Sequence, residues 1–162
     1  MQNNVLDKFT APPKVVLEFL ATFSRLEYAL KVTKFRQEGT ELSEVKADWK
    51  RFTAEISTLF SPEKCNELQE AFTYLYNYPL KFYGNKNGSL EFLIYDTSKA
   101  TSDIENVILK IKQIRHNLFH GGKFAPNNSG DQNNDFLLLN HSITTLLAIK
   151  DLIPEVNDAY NY

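Results

Sequence analysis

Apolar positions in the first forty residues fall at helical intervals. Phe19, Phe23, Leu26 and Leu30 recur at spacings of four, three and four, and Val16 and Leu20 widen the stripe on one shoulder. Pro12-Pro13 opens this helix, because proline in a first turn lacks only an N–H that would have no partner there. The pattern predicts a helix running to about Glu38, where Gly39 stops it. A second helix is expected from Ser43, the capping residue, with Val45, Trp49, Phe52, Ile56 and Leu59 inward. Ser61-Pro62-Glu63 marks a third start, combining a capping serine, a proline and an acid facing the helix dipole. That helix carries Leu68, Phe72, Leu75 and Tyr76 inward and stops before Pro79.

Between Pro79 and Ala100 the helical period lapses. Gly84-Asn85-Lys86-Asn87-Gly88 reads as a turn, and Leu90 to Tyr95 as a short strand or an extended connection. Ser102 and Glu105 form a capping box, and Ile104, Ile108, Ile111 and Leu118 share one face of a helix expected to end at Gly121-Gly122. Asn127 to Asn134 is polar and turn-rich. A last helix follows Asp135, running from Phe136 to about Asp158, with Leu139, Ile143, Leu146 and Leu147 inward and Pro154 kinking it or ending its first part. The expected fold is all-α, an antiparallel bundle of four to five helices in a single domain over 1–162. Residues 1–11 are expected to be a flexible lead and 123–135 a mobile loop.

Composition narrows the function. The 162 residues suffice for one buried core. A net charge of −2 gives no global basic field of the kind that advertises nucleic acid, while leaving room for a local basic cleft. The single cysteine, Cys65, excludes a disulfide framework and a cysteine-rich zinc site. No apolar run reaches the length of a membrane span, and Met1-Gln2-Asn3-Asn4 lacks a signal-peptide pattern. The expectation is a cytoplasmic protein with no membrane partner. The chain holds 12 Phe and 8 Tyr, and Tyr74, Tyr76, Tyr78, Phe82 and Tyr83 crowd the end of the third helix. Core packing or an oligomer contact is favoured for them over base stacking.

Candidate chemistry concentrates in Arg115-His116-Asn117-Leu118-Phe119-His120-Gly121-Gly122-Lys123. Helical rotation puts Arg115 among Ile108, Ile111 and Leu118, in the middle of the apolar stripe, where a guanidinium is costly unless paired, solvated in a cleft or shared with a second subunit. His120 falls in the last turn, where the helix dipole favours an imidazolium. Such a pair suits phosphodiester cleavage. Neutral imidazole takes the proton of a ribose 2′-OH, imidazolium protonates the leaving 5′-oxygen, and guanidinium clamps the phosphate and stabilises the charge developing on it. The substrate supplies the nucleophile, so no metal or other cofactor is needed, and DNA would not be cut by this route.

Arg115, the polar His116, three further positions and then His120 resemble the Arg-x4-His motif of HEPN domains, and the Gly-Gly-Lys that follows resembles the motif's tail in several prokaryotic members. Phe23 to Lys31 is similar to the first long helix of such domains, where an acidic residue, here Glu27, often faces the motif helix. The resemblance implies a helical bundle that acts as a metal-independent endoribonuclease. It also implies a homodimer that joins two copies of the motif, and a role as toxin or antiviral defence effector with a cognate antitoxin protein. Arg115 and His120 would be catalytic and RNA the substrate. His116, Asn117 and Glu27 would support them, Glu27 by orienting Arg115 or a motif histidine, and Lys123 would bind RNA phosphate. Gly122 stands where one subset of the family carries a modified tyrosine, so that form of regulation is not expected.

Plainer readings stand beside these. Arg115 and His120 could be a helix-end ion pair and a dipole-serving histidine. His116 and His120, four apart, could chelate a metal, although no third ligand accompanies them in the sequence. Asn117 and Lys123 could be solvated polar residues, Glu27 an ion-pair member, His141 a polar-face residue and Cys65 a structural one. The functional alternative is a non-catalytic HEPN-like module that binds a nucleotide, RNA or a partner protein and uses Arg115 only as an anchor.

Overall fold

The computed structural model describes residues 9–120 and 132–162. Its elements run α1 (Pro13–Lys31), α2 (Trp49–Ile56), α3 (Asn66–Asn77), β1 (Lys81–Lys86), β2 (Ser89–Ile94), α4 (Asp103–Phe119), α5 (Gln132–Lys150) and α6 (Pro154–Asn161). The fold is mainly α, with a two-stranded antiparallel sheet that the all-α expectation lacked. Helix α5 packs against α1, α3, α4 and α6. Its apolar residues lie all round its axis, which suits a central helix rather than a surface one. No single described helix is long and apolar enough to cross a membrane.

Helix α1 buries the predicted stripe of Val16, Phe19, Phe23, Leu26 and Leu30. It ends at Lys31, seven residues short of the expected Glu38. Thr33 is the cause: its hydroxyl donates to the carbonyls of Ala29 (2.9 Å) and Leu30 (3.2 Å), taking up acceptors that the helix leaves open. The chain then turns so that Phe35 is fully buried, its ring edge-on to Phe52 at 5.1 Å. A strap over 32–48 returns through an antiparallel bridge between Arg36 and Ala47. It is tied by Gln37 N–H to Lys46 O (2.8 Å) and Asp48 N–H to Phe35 O (2.6 Å).

Ser43 therefore caps no helix; its hydroxyl donates to Thr40 O within a turn of the strap. The second helix starts at Trp49 instead, with the Asp48 carboxylate accepting from Arg51 N–H at 3.0 Å. Trp49, Phe52 and Ile56 are buried as expected, whereas Val45 and Leu59, outside the helix, are exposed. At Ser61-Pro62-Glu63 the start signal produces a 3-10 turn over Pro62–Lys64, and α3 begins after Cys65, which is free and exposed. Leu68, Phe72 and Leu75 face inward, while Tyr76 is partly exposed, stacked on Phe72.

The lapse in period after Pro79 is a β-hairpin with Lys86 opposite Ser89, joined by Asn87-Gly88. Both turn residues have positive φ, 53° and 83°. Asn-Gly tolerates that backbone, which matches the twist of the flanking strands. Ser102 accepts from Glu105 N–H at 3.2 Å, but the Glu105 carboxylate reaches past the capping residue to Thr101 N–H and hydroxyl, both at 2.7 Å, so the box is only half formed.

Of the two outcomes expected at Pro154, a kink or an end to the first part, the second holds, and the last helical stretch is two helices. Pro154 opens α6 after a bend of 119° from α5. Proline removes a backbone donor and cannot continue the helix before it. Leu139, Ile143 and Leu146 are buried, but Leu147 is exposed. Helix α5 already includes 132–135, and Asp135 is buried, accepting a hydrogen bond from the Thr10 hydroxyl. Thr10 and the adjoining Ala11, which is buried, therefore belong to the core's edge rather than to a flexible lead. The rest of the expected lead (1–8) and of the loop (123–131) lies outside the described residues.

Candidate functional site

Helix α4 ends at Phe119 with His120 as its cap residue, one residue before the glycines expected to stop it; Gly121, Gly122 and Lys123 lie outside the described residues. Its last two turns form one wall of an open cleft of about 760 Å³, between α1, α4, the returning arm of the strap and Tyr95. Arg115, His116, Phe119 and His120 line it from α4, and Glu27 and Lys31 from α1. Four cationic side chains (Lys31, Lys46, Lys112 and Arg115) face two acidic ones (Glu27 and Glu44), without counting either histidine. The cleft thus has a positive surplus on a chain whose net charge is −2. Such a local field draws anions to one place on an otherwise acidic molecule.

Arg115 is not buried in the apolar stripe. Ile114 takes the core position, and the Arg115 side chain keeps 36% of its exposure at the cleft wall. Its guanidinium lies over two rings, 4.9 Å from the Phe23 centroid and 5.3 Å from that of Phe119. Its Nη2 is 3.5 Å from a Glu27 carboxylate oxygen, and Nε is enclosed without a hydrogen bond among the described residues. Glu27 also faces Lys31, at 3.9 Å. The acid is shared by two cations, and the arginine is aimed by two rings and one carboxylate.

His116 and His120 are both exposed, with ring centroids 4.2 Å apart and planes inclined at 37°. Residues four apart on a helix meet on one side, so this contact follows from the spacing. Partial burial, then the neighbouring His120 and Arg115, hold the His116 pKa below its ordinary value. No group of three His, Cys, Asp or Glu that could hold a metal stands together among the described residues.

Asn117 and His141 lie elsewhere. Asn117 is buried away from the cleft, donating to Lys81 O at 2.9 Å and accepting from Gln113 at 2.8 Å. It ties the hairpin to α4 and reaches the cleft only through Gln113, which lines it. His141 is half-buried, its ring 4.8 Å from that of Tyr74, and burial lowers its pKa. It is a packing residue rather than a polar-face one. In the aromatic segment, Tyr74 stacks on Tyr78, Phe82 meets Tyr95 edge-on and Tyr83 lies 3.9 Å from Phe92.

The structure adds lining residues to those the motif suggests. Lys112 is legible in the sequence, because it precedes His116 by the same four residues that separate His116 from His120. Phe23, Trp49 and Tyr95 read in the sequence only as apolar or extended positions. Lys46 and Glu44 reach the cleft only because the strap replaces a helix. The chain matches no family model, no curated protein and no solved structure in comparison.

Proposed function

We propose that the cleft is the active site of a metal-independent endoribonuclease that cleaves RNA by 2′-OH attack. The observation that carries this reading is the convergence of Arg115, His116 and His120 on one open, positively charged cleft. A phosphodiester there meets a guanidinium that stabilises the extra charge of the transition state. Two imidazoles stand within reach of each other to share the work of base and acid. Glu27 is a positioning residue: it holds Arg115 and does not itself touch the phosphate.

The likeness of the Arg115–His120 segment to the HEPN motif supports the same reading, and with it a HEPN-like bundle. A homodimer that doubles the motif follows from that likeness, as does a role as toxin or antiviral effector with a cognate antitoxin. Phe119, 57% exposed beside the cleft, suits a contact between two copies. A second reading has its own observation. The Arg115 guanidinium is already held between two rings and a carboxylate, as befits an anchor in a non-catalytic module that binds a nucleotide, RNA or a protein.

One assay separates them. Purified protein incubated with single-stranded RNA in EDTA should leave 2′,3′-cyclic phosphate ends, and His120→Ala should abolish cleavage with an unchanged circular dichroism spectrum. RNA bound and left whole would give the molecule to the second reading.

A further inference from the structure

The described lysines that are not solvent-exposed are Lys31, Lys110, Lys112 and Lys150. Three have partners: Lys31 faces Glu27, Lys150 faces Asp151, and Lys110 donates to three backbone carbonyls. Lys112 alone makes no hydrogen bond or ion pair among the described residues. A half-buried ammonium is costly to leave unpaired, and Glu27, the acid nearest in its electrostatic effect, is already shared between Lys31 and Arg115. Partial burial lowers the pKa of Lys112, against the pull of Glu27. Lys112 thus lines the cleft with its charge unpaired among the described residues.

Its place in the row is as telling. Lys112, His116 and His120 follow one another at intervals of four and all line the cleft. Each interval rises about 6 Å along the helix axis, a step comparable to that between successive phosphates of an extended nucleic-acid strand. A phosphodiester set against Arg115 and the histidines would leave its neighbour on the strand beside Lys112.

We infer that Lys112 binds the phosphate next to the scissile one, so that the cleft takes a single-stranded RNA of at least two phosphodiesters and Lys112 sets its register. This rests on the ribonuclease reading for its kinetics but not for its binding. The charged and titratable groups that line the cleft with Lys112 are Glu27 and Lys31 from α1, Glu44 and Lys46 from the strap, and Arg115, His116 and His120 from its own helix.

The kinetic test compares a dinucleoside monophosphate, with one phosphodiester, against a trinucleoside diphosphate, with two. Lys112→Met should raise KM for the longer substrate roughly tenfold at unchanged kcat, raise it far less for the shorter one, and be rescued by Lys112→Arg. Equal losses on both substrates would overturn the assignment, since a structural role does not count phosphates. The binding test uses an all-deoxy strand, which cannot be cut. The slope of log K against log salt should fall in magnitude by about 0.7 in both Lys112→Met and Lys112→Gln, one counterion's worth for a single strand. An unchanged slope refutes the assignment. Wild-type protein that cuts neither ribonucleotide sinks the nuclease reading alone, because the salt slope still decides Lys112.

Discussion

The Glu27 carboxylate on α1 lies 3.5 Å from the Arg115 guanidinium on α4, and this is the ion pair that fixes the cleft's arginine. Both side chains are partly exposed, so the pair contributes modestly to stability. Its larger effect is orientation: with the carboxylate gone, the guanidinium keeps its two rings but loses the contact that selects a rotamer. Glu27→Gln and Arg115→Gln should couple by about 1 kcal/mol in a double-mutant cycle of urea denaturation. Strict additivity would show that the two groups do not act together.

Burial, His120 and Arg115 all push the His116 pKa below 6.5. His116 therefore stays neutral, and able to accept a proton, at pH values where an ordinary histidine is half charged. A proton NMR titration should find its midpoint below 6.5, and Arg115→Gln should move it part of the way back up. A midpoint at or above 6.5 in the wild type would contradict the electrostatics of the cleft.

Lys110 holds down the end of α3. Its Nζ donates to Leu75 O (3.1 Å) and Tyr76 O (2.5 Å), acceptors that the helix C-terminus leaves open, and to Tyr78 O (3.0 Å), which also accepts from Leu80 N–H. Lys110→Met keeps the aliphatic stem but takes the ammonium donor from the Leu75 and Tyr76 carbonyls at a largely buried place. It should lower unfolding stability by about 2–4 kcal/mol, read from the urea midpoint at constant m-value. A loss within the noise of the measurement would mean that water replaces the ammonium.

Asn117→Ala should loosen the hairpin and spare the cleft. The lost bonds to Lys81 and Gln113 correspond to about 1–2 kcal/mol. Amide exchange should quicken across β1 and β2 before any other element. If RNA cleavage falls with the hairpin's protection intact, Asn117 supports the site after all.

His141 links stability to pH. Burial against Tyr74 lowers its folded pKa below 6.5, with Glu70 pulling the other way. Between the folded pKa and 6.5 the unfolded chain binds the proton more readily, so stability is full above 6.5 and drops as pH falls through the folded value. His141→Gln should flatten that part of the stability profile; an identical profile in the variant would assign the acid sensitivity elsewhere.

Local signals in the sequence carried different amounts of structure. Phe19, Phe23, Leu26 and Leu30 announce α1, and Asn87-Gly88 announces the hairpin, because in each case the deciding physics lies within a few residues. Ser43 and Gly39 misled for the opposite reason. Thr33 can end a helix by bonding back to Ala29 and Leu30 only once Phe35 has a pocket beside Phe52 to turn into, and that pocket is made by α2. Leu147 likewise belongs to the helical period and yet stays exposed. The neighbours of α5 choose which of its many apolar residues to cover.

The site divides the same way. By itself the chain determined that a guanidinium and two imidazoles cluster at one helix end, and that the imidazoles, four residues apart, stand together. Tertiary structure alone decided that Arg115 leaves the core to Ile114 and leans on Phe23 and Glu27, that Asn117 turns away to hold β1, and that the strap brings Lys46 and Glu44 across to close a cleft. Helical spacing fixes what meets along one helix, whereas packing between helices fixes which of those groups face open space.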